Sequence, residues 1–430
     1  MGIDSGTMNA IGDLATEAKQ DTIIANQTNG TQISGIKAVD SPSIDAFARW
    51  RVSNPETLFD SKQIFDNQPL FWDEELESGA GITSAHSTAT ASTVITSTLN
   101  TAGTFTRQTF QRFNYQPGKS QLILITGILD RSGGGTGVQR RIGYFDDDNG
   151  LFFEDDEGTV KVVRRTSVTG TPVDNKVTQA SWNLDVMDGT GASGITIDWT
   201  KTQIFFIDFE WLGVGRARMG LVVDGIPYYV HEFLNANVLD KVYMSTPNLP
   251  IRYQMVTTGS SPASTMEAIC SSVMSEGGVD DLGVLRHQDS GSIAGLSTGT
   301  TYAILGIRLK STHVAATILL ETISMLSTTQ NDQLHWELFF NPTVAGTFTY
   351  SDQTNSAIQV ATGASTNTIT GGTEIGGGYL STSLPVTNAV ENALKLGAAI
   401  DGTVDEIVLC ARPITNNITV QGSITWREQS

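Results

Sequence analysis

The chain has 430 residues, a formal net charge of −19 and two cysteines. With 45 acidic and 26 basic residues, it would repel nucleic acid unless its basic residues gathered in one place, and they are scattered. Two cysteines are too few for a disulfide framework, and the longest apolar run, LILITGIL, is too short to cross a bilayer. We therefore expect no nucleic-acid or membrane partner. The N-terminus shows no signal-peptide pattern, so we expect synthesis in a cytoplasm.

Residues 1–42 differ from the rest in their predicted secondary structure. DLATEAKQDTIIANQ is rich in helix formers, and Asp13 stands where a helix N-cap belongs. A helix of two or three turns is marginal on its own. We predict a short helical arm that anchors the chain or forms an oligomer, with a frayed, solvated arm as the alternative. The apolar positions near heptad spacing in this arm are Ile11, Leu14, Ala18 and Ala25.

From residue 43 onward, short apolar and Thr-rich runs alternate with Gly, Pro and Asn turns. This pattern predicts an all-β fold, an antiparallel β-sandwich or jelly roll of lectin-like type. We assign residues 43–275 to a β-sandwich body. Residues 276–430 either continue that sandwich or form a second β lobe. One short helix is predicted in the body, in NAVENALKLG, which ends at Gly397.

The stretch GYFDDDNGLFFEDDEGTVKVVRR is rich in acidic residues and predicts a three-stranded meander with turns at DDDNG and EDDEG. An EF-hand does not fit, because placing Gly150 at position 6 of the calcium loop puts Phe145 at position 1. We interpret the carboxylates as solvated turns. A calcium site of another kind between the two turns is the alternative.

The strand TQIFFIDFEWLGVG alternates strictly, so Phe205 and Ile207 should face one side and Asp208 and Glu210 the other. ARMGLVVDGIPYYVHEF should follow as a hairpin, and its turn should lie at Asp224. Asp208 and Glu210 are then candidates for acid–base chemistry or for contact with a glycan or a protein partner. The aromatic residues that could stack on sugar rings, or else belong to the core, are Trp199, Trp211, Tyr228 and Tyr229.

Other catalytic and metal motifs are not supported. The single G-x-S-x-G match, at Ser297, is followed by a strand-like run rather than the helix that a nucleophile elbow needs. The five histidines show no HxxxH pairing, so we expect no transition-metal site and no cofactor. No E-x-D-x-x-E strand of sandwich glycosidases is present, so we expect no enzyme activity.

Two blocks of the body, residues 182–253 (from WNLDVMDGTG to NLPIRY) and 336–360 (WELFFNPTVAGTFTYSDQTNSAIQV), resemble segments of virion structural proteins of tailed bacteriophages and environmental viruses. LATEAKQDTIIAN in the arm resembles N-terminal segments of phage tail, fibre and decoration proteins. The resemblance covers the arm and about half of the body. It implies a role in the particle and carries over no catalytic residue. The sandwich pattern is also similar in architecture to concanavalin-like lectins.

The resemblance implies a fibre, spike or capsid-decoration subunit that is anchored to other virion proteins by its arm and exposes a sandwich to the host surface. Such a subunit would be homo-oligomeric, with a trimer as one option, and would be assembled in the host cytoplasm. Its position on head, neck or tail stays open. A lectin-like carbohydrate-binding module, contacting glycans through Asp208, Glu210, Tyr228 or Tyr229, is the alternative. A glycan-degrading enzyme that uses Asp208 and Glu210 is the third hypothesis.

Overall fold

The structure is a computed structural model, and it describes residues 44–47, 50–51, 54–132, 135–328, 332–381, 386–389, 394–415 and 417–429. The predicted arm helix, with Ile11, Leu14, Ala18 and Ala25, lies outside these residues. The chain from Asp45 to Ser430 forms one compact unit. None of the described residues belongs to a helix with the length and apolar character needed to cross a membrane.

The described part of the chain from Glu56 to Glu276 forms fifteen strands. These are β1 (Glu56–Lys62), β2 (Trp72–Gly79), β3 (Ile82–Ser87), β4 (Ser92–Ser97), β5 (Gly103–Thr109), β6 (Ser120–Ser132), β7 (Val138–Phe145), β8 (Gly150–Asp156), β9 (Thr159–Thr166), β10 (Val173–Thr178), β11 (Gln203–Phe209), β12 (Ala217–Val223), β13 (Ile226–Phe233), β14 (Ile251–Thr257) and β15 (Ser264–Glu276).

Thirteen further strands are described after residue 283. These are β16 (Val284–Asp289), β17 (Ile293–Leu296), β18 (Tyr302–Leu309), β19 (Thr317–Ser327), β20 (Gln333–Phe340), β21 (Thr343–Val344), β22 (Ser351–Asp352), β23 (Ile358–Thr362), β24 (Ile369–Thr370), β25 (Thr373–Ser381), β26 (Val386–Ala389), β27 (Glu406–Pro413) and β28 (Ile418–Gln429). Helical structure among the described residues amounts to two single 3₁₀ turns, Gln179–Ser181 and Ser311–His313.

The first fifteen strands build two antiparallel sheets that face each other, which we call the first sandwich. Sheet 1 has the order β13-β12-β11-β6-β15-β4-β3, with β1 also paired to β15. Sheet 2 has the order β10-β9-β8-β7-β14-β5-β2. Inward side chains of the two sheets form one core, in which the rings of Phe153 on sheet 2 and Phe205 on sheet 1 are 5.0 Å apart. The predicted all-β, antiparallel sandwich is confirmed.

The later strands build a second sandwich with its own core. Sheet 3 has the order β16-β28-β19-β26, with β17 paired to β28, and sheet 4 has the order β22-β23-β18-β27-β20-β25. Gly422 of sheet 3 lets Ile304 and Leu409 of sheet 4 approach closely, because a Cβ there would lie 2.9 Å from Ile304. Short strands β21 and β24 pair with each other. The division predicted at residue 275 stays a prediction, since both sandwiches belong to one compact unit.

Several local predictions can be compared directly with the structure. The hairpin turn at Asp224 is confirmed, since Asp224 and Gly225 both have positive φ, 51° and 79°. The helix predicted at residues 388–397 is wrong for its described residues: 388 and 389 belong to β26, and 394–397 form no helix, while 390–393 lie outside the described part of the chain. The backbone of β26 pairs with β19 instead, with Ala389 opposite Thr322, so sheet pairing overrides the local helix preference.

The acidic meander is confirmed as β7, β8 and β9, but its carboxylates are not all in turns. Strand β8 extends to Asp156, so Glu154 and Asp155 lie within the sheet and are buried. Glu154 pairs with Arg141 at 2.9 Å, and Asp155 pairs with Arg140 at 2.6 Å. Cations on the neighbouring strand make this burial possible, because a carboxylate without a partner would not leave water. The interpretation as solvated turns is therefore wrong for these two residues.

The two sandwiches are joined by the connection 277–283 and by hydrogen bonds between loops. One group lies around Asn248, whose Nδ2 donates to the Ala315 carbonyl at 2.9 Å, and around Gln116, whose Nε2 donates to the Asp280 carbonyl at 2.6 Å. Further bonds at the edge of sheet 2 run from Ala398 N to Phe110 O and from Ile400 N to Asp73 Oδ2.

Candidate functional site

A cleft opens where the loops at one end of the first sandwich meet the β18–β19 connection of the second. Its volume is about 370 Å³, which falls in the usual range for small-molecule sites of roughly 300–1,000 Å³. Four separate chain segments line it: Tyr115, Pro117, Trp211, Ser245, Thr246, Pro247, Asn248, Thr312, His313, Ala315 and Ala316.

Aromatic residues form one wall of the cleft. Trp211 follows directly after β11, and the ring of Tyr115 lies edge-on to it at 6.4 Å. Tyr115 also stacks on Phe209 of the core at 5.8 Å, and Trp211 Nε1 donates to the Met244 carbonyl at 3.0 Å. Both rings are therefore fixed by the first sandwich. Such preorganised rings can hold a ligand face without losing much side-chain freedom on binding.

Asn248 fixes the polar side of the cleft. Its Oδ1 accepts the backbone N–H of Tyr115 at 2.8 Å, while its Nδ2 donates to the carbonyl of Ala315 in the second sandwich at 2.9 Å. One buried side chain thus ties the aromatic wall to the opposite wall. The hydroxyls of Thr246 and Thr312 and the imidazole of His313 also line the cleft. Thr312 and His313 are exposed to solvent.

The acidic turn supports the rim of this cleft through its asparagine. Asn149 is 1% exposed, and its amide exchanges two hydrogen bonds with Ser245, each 2.8 Å long. Asp146 holds the turn itself, because its Oδ1 accepts the backbone N–H groups of Asp148 and Asn149. The DDDN turn therefore positions a wall of the cleft and does not present Asn149 to solvent.

The cleft can bind an uncharged ligand that has one apolar face and several hydroxyl groups. Among the described residues that line it, none carries a carboxylate, ammonium or guanidinium group. Hydroxyl, amide and imidazole groups can each donate or accept hydrogen bonds, and the indole and phenol rings supply apolar surface. Splitting a glycosidic bond normally needs two carboxyl groups on either side of it, and the described lining offers none.

Asp208, one of the predicted contact residues, lies inside a network of its own chain. It is fully buried on the outer face of sheet 1. Its Oδ2 accepts from Arg51 at 2.6 Å, from Tyr229 at 2.8 Å and from Arg218, which lies opposite it on β12. Arg51 also contacts Glu276 at 2.7 Å. Burial, together with the Asp208 carboxylate, raises the pKa of the Tyr229 hydroxyl.

This network is a correction to the prediction that Asp208 contacts an external ligand, whereas Tyr229 is only partly buried and its predicted ligand contact stays a prediction. Asp208 has no exposed surface, because Arg51, which precedes β1, reaches across the sheet face and pairs with it. Asp208 also differs in setting from Glu210, since β11 ends at Phe209. Glu210 lies in the following turn, where its Oε1 accepts the backbone N–H of Arg216 at 3.1 Å. The two carboxylates are not a catalytic pair on one strand face.

Tyr228 lies on the opposite face of β13 from Tyr229. It is half-buried and packs against the core of the first sandwich. The structure thus brings together Asp208 and Tyr229 but neither of them with Glu210 or Tyr228. Of the residues considered for sugar stacking, Trp211 lines the cleft, whereas Trp199 packs on Phe205 of the core.

Sequence reasoning missed Tyr115, Asn248 and His313. Their segments are 133 and 65 positions apart, so no spacing rule joins them. The local signal was weak: Tyr115 and Asn248 lie in Pro-containing connections, FNYQPGK and STPNLP, and His313 lies in KSTHVAA, which has no Pro or Gly. The cleft exists only because the second sandwich packs beside the loops of the first.

No protein-family model matches this chain, and no curated protein matches its sequence. Among solved structures, similar ones include the endo-1,3-beta-glucanase from Streptomyces sioyaensis, with 12% identity and a TM-score of 0.33 over 52% of this chain and 97% of that one. A legume lectin-like domain from Entamoeba histolytica matches with 9% identity and a TM-score of 0.30, over 51% of this chain and 98% of the domain.

A third similar structure is the CBM2 module of the evolved Dit protein of Lactobacillus casei BL23 phage J-1. It matches with 8% identity and a TM-score of 0.31, over 53% of this chain and 97% of the module. Lectin-like and carbohydrate-recognition domains are thus among the solved structures that align with about half of this chain. Similarity at this level assigns no ligand to the chain.

Proposed function

We propose that this chain is a glycan-binding protein whose site is the cleft between the two sandwiches, and that it binds its sugar without cleaving it. The observation that carries the proposal is the partly exposed indole of Trp211, held in place by Tyr115, beside the hydroxyl groups of Thr246 and Thr312 and the imidazole of His313. A pyranose ring offers C–H bonds on one face and hydroxyls around its edge, so it matches both walls.

Neutral sugars are the ligand class that this lining favours. A uronic or sialic acid would bring a carboxylate into a cleft whose described lining has no arginine or lysine to pair with it. Hydrogen bonds with neutral hydroxyls add specificity without the cost of desolvating an ion. A volume of about 370 Å³ accommodates one or two sugar rings, so we expect recognition of a terminal mono- or disaccharide unit.

The test is a bacterial surface-glycan array probed with the full chain, followed by titration calorimetry on the strongest binder. Trp211→Ala removes the indole wall, and we expect the affinity to fall at least tenfold. Phe65→Ala is the matched control, because Phe65 is an exposed aromatic outside the cleft and its loss should leave the affinity unchanged.

Trp211 also packs against the first core, so a second pair of variants separates binding from folding. Thr312→Ala and His313→Ala change exposed side chains of the cleft, and each should weaken binding several-fold without changing the unfolding midpoint. A glycan that binds all of these variants as tightly as the unmodified chain would contradict the assignment of the cleft. An array without any saturable binder would contradict the function itself.

A second proposal concerns the setting in which such binding acts. The resemblance of residues 182–253 and 336–360 to virion structural proteins supports a fibre, spike or capsid-decoration subunit of a tailed phage, homo-oligomeric and exposed to the host surface. Immunogold microscopy of purified particles with antibody to the full chain tests this: gold on head or tail is expected, and bare particles would contradict it. The two tests are independent, because a free lectin would pass the first and fail the second.

A further inference from the structure

The outer face of sheet 4 carries a cluster of ionisable and aromatic side chains, none of which lines the cleft. His335 and Glu337 point to the same side of β20, and Tyr379 and Arg412 are the cross-strand partners of His335 on β25 and β27. Glu374 lies on β25 beside them. Sequence reasoning set the histidines aside because none forms an HxxxH pair, but on a strand the spacing His-x-Glu is enough to place both groups on one face.

The ligand-type atoms of three of these residues converge. One nitrogen of His335 and one carboxylate oxygen each of Glu337 and Glu374 lie within 4.8 Å of one another. His335 Nδ1 is 2.8 Å from Glu337 Oε1, and the other oxygen of Glu337 accepts from Thr301 Oγ1 at 3.0 Å. Glu337 is buried and held in place, whereas Glu374 is exposed and free to move toward the histidine.

Gly377 lets Glu374 and the imidazole of His335 approach each other closely. It lies opposite Glu337 on the neighbouring strand. A Cβ at this position would lie 3.0 Å from Glu374 Oε1 and 3.4 Å from His335 Nε2. A side chain there would therefore crowd both ligand-type atoms. The adjacent Gly376 shows no such crowding, since its nearest neighbour would be Leu338 Cβ at 3.8 Å.

From this geometry we propose that His335, Glu337 and Glu374 form a binding site for a divalent transition-metal ion, with Zn²⁺ as the best match. One imidazole nitrogen and two carboxylate oxygens are a ligand set that Zn²⁺ accepts, and a fourth position is left open to water or a ligand. Hard cations such as Ca²⁺ prefer an all-oxygen set, which the imidazole disfavours. Tetrahedral bonds of about 2.0–2.2 Å place ligand atoms about 3.4 Å apart, so a small movement of the exposed Glu374 closes the site.

Arg412 competes with the metal for this site. Its Nε donates to Glu337 Oε1 at 3.1 Å, and its Nη2 lies 3.0 Å from His335 Nδ1. Nδ1 also lies 2.8 Å from Glu337 Oε1, and one ring nitrogen cannot both donate to that carboxylate and accept from the guanidinium, so the two contacts need opposite tautomers. A metal ion at Nδ1 would take the place of both the proton and the guanidinium, and it could share Glu337 as a ligand. Arg412 must then turn away, which its 43% exposed side chain allows.

This competition distinguishes a metal site from an ordinary ion-pair cluster. In an ion-pair cluster, Arg412 is the cation that the carboxylates need. In a metal site, Arg412 is a rival cation, so its removal should strengthen binding. The proposal is independent of the glycan-binding cleft, because none of the four residues lines that cleft.

The experiment is calorimetric titration of the full chain with ZnCl₂ after treatment with a chelator, and in parallel the visible absorption of the Co²⁺-substituted protein. We expect one saturable site. Its affinity should fall at least tenfold in Glu374→Gln and in His335→Gln, and it should rise several-fold in Arg412→Gln. The Co²⁺ spectrum should show the intense bands of four-coordination and lose them in both weakened variants.

The glycines give a matched steric pair. Gly377→Ala crowds Glu374 and the imidazole and should weaken metal binding, whereas Gly376→Ala should leave it unchanged, because its Cβ has room. The exposed His287 supplies a second control, and His287→Gln should bind like the unmodified chain. Absence of saturable Zn²⁺ binding, or binding that survives both Glu374→Gln and His335→Gln, would overturn the proposal. Weaker binding in Arg412→Gln would identify the cluster as an ion-pair network instead.

Discussion

The two sandwiches differ in how deeply they bury their arginine and lysine side chains. In the first, Arg107, Arg140, Arg218 and Arg252 are among the largest fully buried side chains of the molecule. In the described residues of the second sandwich, no arginine or lysine is buried. Arg412, the arginine of the His335 cluster, keeps 43% of its side chain exposed. The first sandwich therefore buries cationic side chains, whereas the described arginines and lysines of the second stay accessible.

This difference decides which charged residues can serve function. Burying an ion costs several kcal/mol, so each buried guanidinium must be matched by carboxylates or other acceptors within the protein. Arg140 is matched by Asp155 and Asp130, and Arg218 by Asp208. Such groups have no capacity left for an external ligand. The cations of the second sandwich, and the exposed Thr312 and His313 of the cleft, remain available.

The largest expected effect comes from breaking a buried pair of the first sandwich. Arg140→Met leaves the buried Asp155 without its guanidinium, and we expect the free energy of unfolding to fall by about 3–5 kcal/mol. Urea unfolding at pH 7 measures this. The double variant Arg140→Met, Asp155→Leu should regain most of the loss, because it removes the isolated charge. A single variant as stable as the unmodified chain would contradict an internal role for this pair.

A smaller effect is expected from acid, through a buried histidine of β13. Burial lowers the pKa of His231 to about 4 from its ordinary value of 6.5. As the pH falls below 6.5, the unfolded chain takes up this proton first, so the contribution of His231 should lower stability between pH 6.5 and 4 and change no further below pH 4. Urea midpoints of His231→Gln should therefore change less over this range than those of the unmodified chain. His287→Gln, at an exposed position, should titrate like the unmodified chain. If the urea midpoints of all three proteins changed equally with pH, His231 would protonate freely in the folded state, and the prediction would be wrong.

The smallest effect is expected from the accessible arginine of the second sandwich. Arg412→Met removes an arginine that is 43% exposed from the buried Glu337, which keeps Thr301 and His335 as neighbours. We therefore expect the free energy of unfolding to fall by about 1–2 kcal/mol, less than in Arg140→Met. The same urea experiment measures it beside Arg140→Met. A loss as large as that of Arg140→Met would remove the distinction between internal and accessible charges.

Local pattern was sufficient to predict the strands and several turns. The alternation of β11 places Phe205, Ile207 and Phe209 in the core as expected, because a strand turns successive side chains to opposite faces. The turn at Asp224 follows from its tolerance, with that of the following glycine, for positive φ. Strand alternation and turn conformation depend on residues that are adjacent in sequence, so both can be predicted from the sequence.

Whether a polar face meets solvent could not be predicted in this way. Asp208 lies on the non-core face of β11 as expected, but Arg51, which is 157 positions away, pairs with it there. Glu154 and Asp155 looked like turn residues because they are acidic, yet arginines on the adjacent strand bring them into the sheet. In both cases the deciding partner is distant in sequence or lies across a strand pair.

The sequence by itself therefore determined the all-β class, the alternation of strand faces and the meander around the acidic stretch, because these depend on intervals of a few residues. Tertiary structure alone decided the sites. Tyr115, Trp211, Asn248 and His313 line one cleft only because two sandwiches pack together. His335, Glu337 and Glu374 converge only because β20 and β25 are neighbours with a glycine between the ligand groups. Pairing across strands and between sheets joins residues that no spacing along the chain connects.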